Sequence, residues 1–284
     1  MKKILKKSAA ALAALTLTAA LAGCGSSASS AATSTDTAAS TAETSGENEL
    51  EKVKANGKLV IGVEGTYPPF TYHDDNGELT GLDVELGKAL AEKLGVEVEF
   101  QEAAWDSLLI GIDTGRFDTV INSVSITDER AEKYDFSTPY AFNRTAVITK
   151  ADDDSINTLE DLKGKKTANT ISSTYAELAE QYGATVTGVD DLNQTFELLL
   201  SGRIDATLNA EMTFYDYTKE HPDANVKIAV LTDDANQIAI PMRKGDETAA
   251  LRTAIDAAID ELRADGTLKT LSEKYFGRDI STEE

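Results

Sequence analysis

Short apolar runs alternate along the chain with stretches in which apolar residues recur every three or four positions. Leu59–Val63, Val96–Phe100 and Thr119–Asn122 read as strands, and Val84–Leu94, Ser107–Thr114 and Asp128–Tyr134 as the helices that follow them. The order recurs after residue 150. Lys166–Asn169 precedes Tyr175–Tyr182, Val186–Val189 precedes Leu192–Ser201, and Ala206–Asn209 precedes Glu211–Glu220. Val226–Leu231 and Gln237–Pro241 read as further strands, Thr248–Ala264 and Leu268–Tyr275 as closing helices. Such alternation predicts an α/β fold whose parallel sheets are covered on both faces. On pattern alone, two similar α/β units follow one another.

The first 49 residues do not share this pattern. Lys2, Lys3, Lys6 and Lys7 precede an apolar run from Ala9 to Leu21 that ends in Leu21-Ala22-Gly23-Cys24. The run is shorter than the ~20 residues of a spanning helix and closes on small residues, so residues 1–23 read as a lipoprotein signal peptide. Cys24 is the only cysteine in the chain, which excludes an internal disulfide and makes lipid attachment the expected use of its thiol. Residues 24–49 are mostly Ser, Ala, Thr and Gly, with little to bury. A flexible tether of that length reaches roughly 28 Å on average. The expected location is extracytoplasmic, with the protein lipid-anchored to the cell membrane.

Cleavage before Cys24 removes four lysines and no acid, taking the formal charge from −22 to −26. Nucleic acid and anionic lipid headgroups are poor partners for such a surface. Most of the acids are interleaved with apolar periodicity and read as solvated faces. At 41% hydrophobic residues, the remaining ~235 positions suffice for one large core or two smaller ones.

Candidate chemistry concentrates between Asp118 and Tyr140, in DTVINSVSITDERAEKYDFSTPY. Thr127 suits a helix N-cap, Asp128 and Glu129 suit the positive first turn, and Arg130 lies one turn in, within reach of Ser123 and Ser125. A guanidinium so placed can grip a carboxylate with two parallel hydrogen bonds while loop hydroxyls take its other lone pairs. Residue types alone fit a surface helix with a solvated arginine equally well. Tyr67-Pro68-Pro69-Phe70 follows the first strand, at the strand end where open α/β sheets meet ligands. The fixed proline φ angles would hold its aromatics in place before binding. Thr174 with Glu177 has the spacing of a capping box, whose first-turn N–H groups can face an anion.

Together with EGTYPPFTYHDDNGELTGLDVELGKALAEKLG, WDSLLIGIDTGRFD and DGTLKTLSEKYFG, the Asp118–Tyr140 segment resembles the polar amino-acid family of extracytoplasmic solute-binding proteins. These are the receptors of ABC importers. The likeness runs in order from about Leu59 to Ile280, and EGTYPPF, ITDER, KYDFSTPY and RKGDE bring it nearest the cystine-binding branch. The resemblance implies a two-lobed periplasmic-binding-protein fold (type II) with ligand in the interlobe cleft. The chain would cross between lobes near Ala141–Ile148 and near Thr232–Ile238, so that residues 50–143 and 236–284 form lobe 1 and residues 144–235 form lobe 2. It also implies the ligand set. Arg130 with Ser123 and Ser125 would hold the α-carboxylate, and Ser172, Ser173 and Thr174 would face it from lobe 2. Tyr67, Phe70 and Trp105 would wall the ligand, an alternative for Tyr67 and Trp105 being ordinary core packing. Glu64 would meet a distal amine, an equal alternative being a structural ion pair with a lysine.

One position departs from the family. Where relatives carry an acid for the ligand's α-ammonium, GRIDATLNAE has Ala210. Glu211 would point elsewhere unless the turn shifts, leaving backbone carbonyls or Asp83 as substitutes. The resulting expectation is a monomeric amino-acid receptor, cystine favoured, that serves an ABC permease, with another polar or dibasic amino acid as the alternative ligand. Neither histidine, His73 nor His221, stands in a nucleophile arrangement, and no metal-ligand spacing or phosphate loop occurs, so no catalytic residue, metal or cofactor is assigned. A dehydratase or a sensor on the same fold is the alternative from another class.

Overall fold

The computed structural model describes residues 48–283, so the signal peptide, Cys24 and most of the tether lie outside the described residues. Asn48 and Glu49, placed in the tether by composition, belong to the folded body. The Asn48 side chain caps helix Glu49–Asn56, and buried Glu49 pairs with Arg243. Gly57 ends that helix at φ 69°, in the left-handed region glycine enters freely.

In the first lobe, strand Lys58–Val63 runs parallel between Glu97–Glu102 and Thr119–Val120. Leu59, Ile61 and Val63 are wholly buried, the alternation expected of a strand with one face on a helix layer. Helix Leu82–Leu94 covers that face with Leu86 and Leu90. Helix Trp105–Asp113 covers the other with Leu108 and Ile112, and it approaches the sheet closely around Phe117. A Cβ on Gly111 would fall 2.1 Å from the Phe117 ring, which accounts for glycine in LLIGIDTGRF. The last helices, Asp246–Ala264 and Thr267–Phe276, pack Leu251, Ile255, Ile259 and Leu268 into this same core. These last helices thus complete the lobe that helix Glu49–Asn56 and strand Lys58–Val63 begin.

The second lobe is mixed, which corrects the expectation of parallel sheets. Lys166–Asn169 and Thr185–Gly188 are parallel, but Thr207–Ala210 and Val226–Leu231 both run antiparallel to Thr145–Lys150. A parallel bridge between Thr167 and Ala206 joins the two parts. The reversed member is Thr145–Lys150, the strand that enters the lobe; Val226–Leu231, which leaves it, runs in the same sense as Thr207–Ala210. Ala141–Asn143 and Asn236–Ile238 pair antiparallel where the chain passes between lobes. The expected strand Gln237–Pro241 is therefore two strands. After Ile238 the chain leaves that partner, hands the Ile240 N–H to the Ser137 hydroxyl, and resumes at Pro241–Arg243 against Tyr134–Phe136.

Candidate functional site

Arg130 lies in the short helix Asp128–Lys133, whose first turn is capped by Thr127 accepting from the Arg130 N–H. Its side chain turns inward, leaving the residue 8% exposed, and the guanidinium carbon lies 5.4 Å from the Trp105 ring centre. It donates to the Ser125 carbonyl at 3.1 Å and, across the lobes, to the Ser172 carbonyl at 3.4 Å. Burial lowers the Arg130 pKa, with Glu177 the first of the groups that oppose the shift. Both acceptors are neutral, so a buried cation retains capacity for an anion.

Glu64 follows directly on the first strand. Its N–H donates to Asn122 Oδ1 at 2.8 Å, and its carboxylate accepts from Asn122 Nδ2 at 3.2 Å and from the Thr66 hydroxyl at 3.3 Å. Burial raises the Glu64 pKa; the Asn122 and Thr66 contacts pull it down, while Asp191 and Asp106 push it up. Tyr67 stacks on Phe70 with ring centres 5.2 Å apart and donates its hydroxyl to Asn209 Oδ1 of the second lobe at 2.8 Å. Ser172 Oγ bonds to Asp106 across the rim.

These groups surround one cavity between the lobes. Of the residues expected there, Glu64, Tyr67, Trp105, Ser123, Ser125, Arg130, Ser173 and Thr174 line it. Phe70 and Ser172 do not. Phe70 is 0% exposed and forms the floor under Tyr67, because packing into the helix layer buries it completely. Ser172 meets Arg130 through its backbone and stands at the rim. The capping box is also corrected. Ser173, not Thr174, caps helix Thr174–Gln181 by accepting from the Ala176 N–H at 3.2 Å, which puts Glu177 one place too late to close the box.

Ala210 is buried in the core, and Asn209 is the residue of that strand at the cavity. Glu211 turns away, buried against Arg278 and Arg144. Asp83 is fully buried and absent from the lining, bonded instead to Ser123 and Tyr140, so it is no ammonium partner. The lining acid that the sequence reading passed over is Asp191, which also caps helix Leu192–Leu200. Its capping position before an apolar helix was legible; its aim into the cavity was not. Asn122, Asn169, Thr170, Tyr175, Leu192 and Thr195 complete the wall. The lining therefore carries one guanidinium, Arg130, and two carboxylates, Glu64 from the first lobe and Asp191 from the second. Among the described residues no cluster of three His, Cys, Asp or Glu could hold a metal ion, and no helix is long and apolar enough to cross a membrane.

The sequence pattern that defines bacterial extracellular solute-binding proteins, family 3, matches residues 59–278. A probable amino-acid ABC transporter-binding protein of Haemophilus influenzae is 42% identical over 234 residues, covering 82% of this chain and 89% of that protein. The L-cystine-binding protein TcyA of Bacillus subtilis is 39% identical over 279 residues, covering 98% of this chain and 100% of that protein. Among solved structures, an ancestral arginine-binding protein bound to arginine superposes with a TM-score of 0.73 at 39% identity, covering 78% of this chain and 99% of that one.

Proposed function

This chain belongs to family 3 of the bacterial extracellular solute-binding proteins, and from that membership we propose that it captures an amino acid, with cystine favoured, for an ABC importer. The observation that carries the reading is a buried Arg130 bonded only to neutral carbonyls, facing the same cavity as Glu64 and Asp191. Arg130 takes the α-carboxylate in a bidentate grip, and Ser123 and Ser125 take its remaining lone pairs. Ser173 and Thr174 approach the same group from the second lobe, with Ser172 contributing through its carbonyl to Arg130. Tyr67 and Trp105 wall the ligand, Phe70 supports Tyr67 from below, and Glu64 meets a distal ammonium. The likeness to TcyA supports cystine, which has two ammonium groups.

A second ligand reading rests on the lining charges. One guanidinium against two carboxylates matches a dibasic amino acid, which brings one carboxylate and two cations, and the arginine-bound neighbour points the same way. Calorimetric titration with L-cystine, L-arginine and a neutral amino acid decides between them. No binding to any of the three refutes both ligand readings, and no binding across all the amino acids refutes the amino-acid class. We read the cleft as a binding site without turnover, and incubation with each amino acid followed by product analysis tests that. Anchoring through lipid on Cys24, delivery to a permease and action as a monomer belong to the same proposal.

A further inference from the structure

We infer that Asp83, which does not touch the cleft, is the positioning residue that fixes the ligand-facing Ser123 loop and ties it to the interlobe hinge. Asp83 is the second residue of helix Leu82–Leu94 and is 0% exposed. One carboxylate oxygen accepts the Ser123 N–H at 2.6 Å, and the other accepts the Tyr140 hydroxyl at 2.8 Å. Among the described residues it has no salt-bridge partner. A buried carboxylate without a cation is costly, and both of its contacts lead toward the binding machinery.

Ser123 is the one non-glycine residue with positive φ among the described residues, at 50°. Serine does not favour that left-handed backbone, so something must hold it there. The short bond from its N–H to Asp83 does so. Thus held, Ser123 lines the cavity with a buried hydroxyl that has no protein partner. Tyr140, on the other oxygen, directly precedes Ala141–Asn143, the strand that crosses between lobes beside Asn236–Ile238. The helix start is pinned in turn to the aromatic loop, because the N–H groups of Leu82 and Asp83 donate to the carbonyls of Pro69 and Phe70 at 3.1 and 3.0 Å. Gly81 is required for that approach, since a Cβ there would lie 2.1 Å from the Phe70 carbonyl oxygen. Gly81-Leu82-Asp83 therefore holds the aromatic wall, the serine loop and the hinge root in one arrangement.

The affinity arm of the test rests on the amino-acid reading of the cleft; the exchange arm does not. In the full folded chain, Asp83→Asn should speed hydrogen exchange at the Ser123 amide by about tenfold or more, while amides of Lys58–Val63 exchange as before. Affinity for whichever of L-cystine and L-arginine binds should fall by at least about tenfold. In a Ser123→Gly background, where left-handed φ carries no strain, the same Asp83→Asn change should cost less than about threefold. Equal losses in the two backgrounds, or an unchanged Ser123 amide, overturn the inference. Should Asp83→Asn fail to fold, Tyr140→Phe serves: freeing one carboxylate oxygen should loosen the Ser123 amide by about threefold or more, and an unchanged amide overturns the inference equally. Wild-type protein that binds neither amino acid refutes the ligand reading alone, and the exchange comparison still decides the role of Asp83.

Discussion

Arg130→Ala tests the cleft most directly. The wild-type arginine is buried, and its guanidinium donates hydrogen bonds to two neutral carbonyls, at 3.1 and 3.4 Å. A ligand carboxylate arriving there gains charge-assisted bonds of about 1.5–3 kcal/mol each. Truncation removes them and leaves the ligand carboxylate in a desolvated site, partly relieved by water entering the vacated space. The net loss should be at least ~2 kcal/mol, or about thirtyfold in Kd. Without ligand the balance is different. The variant loses a cation–aromatic contact to Trp105 worth about 2 kcal/mol at a desolvated site, but it also loses a buried charge whose acceptors are only carbonyl dipoles, which offsets it. These effects oppose each other, so unliganded stability should change by less than about 1 kcal/mol. Arg130→Lys keeps the charge and forfeits the planar fork, and should fall between wild type and alanine. Titration calorimetry with the best amino acid, alongside urea denaturation of the unliganded proteins, reads both quantities. Equal affinities for wild type and Arg130→Ala would remove Arg130 from the site.

Glu64→Gln should weaken cystine or a dibasic ligand by roughly 1.5–3 kcal/mol while sparing a neutral amino acid; equal losses for both ligand types make Glu64 structural. Burial raises the Asp83 pKa to about 7, with Tyr140 and Ser123 opposing. Its folded pKa thus lies above its unfolded value near 3.8, so its contribution to stability is full below that value and is lost as pH rises through about 7. Between pH 4 and pH 7 the slope of stability against pH, read by denaturation, should be more negative in wild type than in Asp83→Asn, and identical slopes refute the assignment. Cys24→Ala should leave the folded body intact and release it from the membrane, as cell fractionation reads; a variant still firmly membrane-bound refutes lipid attachment at Cys24.

The elements were legible wherever one face is buried. Leu59, Ile61 and Val63 alternate because a helix layer lies over them, and no other pattern would bury them so. The reversed strand of the second lobe was not legible, since an apolar run such as Thr145–Lys150 looks alike whichever way it runs in a sheet. Glu49 looked like tether because its partner, Arg243, is remote in sequence. Arg130, Ser123 and Ser125 were legible from local spacing alone, as options, and the resemblance selected among them. Phe70 was misplaced because an aromatic beside prolines reads the same whether it faces a cleft or floors one. Asp191 was missed because N-cap aspartates are common and the cavity wall is assembled only in three dimensions.

Closure of the cleft has opposing electrostatic terms. Tyr67 with Asn209, Arg130 with the Ser172 carbonyl, and Ser172 with Asp106 all join the lobes. Glu64 and Asp191 bring like charges from opposite lobes onto the same cavity, and each lobe movement that makes the first set of contacts also concentrates this repulsion. A ligand cation between them converts repulsion into attraction from both sides, so its charge is felt only as the lobes close. Selectivity then follows the ligand's charge pattern more than its volume. Arginine supplies two cations and one carboxylate, which Arg130 accommodates. Cystine supplies a second carboxylate for which the lining holds no second guanidinium, so that group must be met by neutral polar groups of the lining, such as those of Asn169, Thr170 and Thr195. Neutral donors weaken less than charged ones when salt is added, because they have no net charge to screen. Arginine also brings a net positive charge to an acidic protein while cystine is net neutral, so the arginine affinity should fall more steeply with ionic strength than the cystine affinity, and parallel salt dependences would refute selection by the ligand's charge pattern.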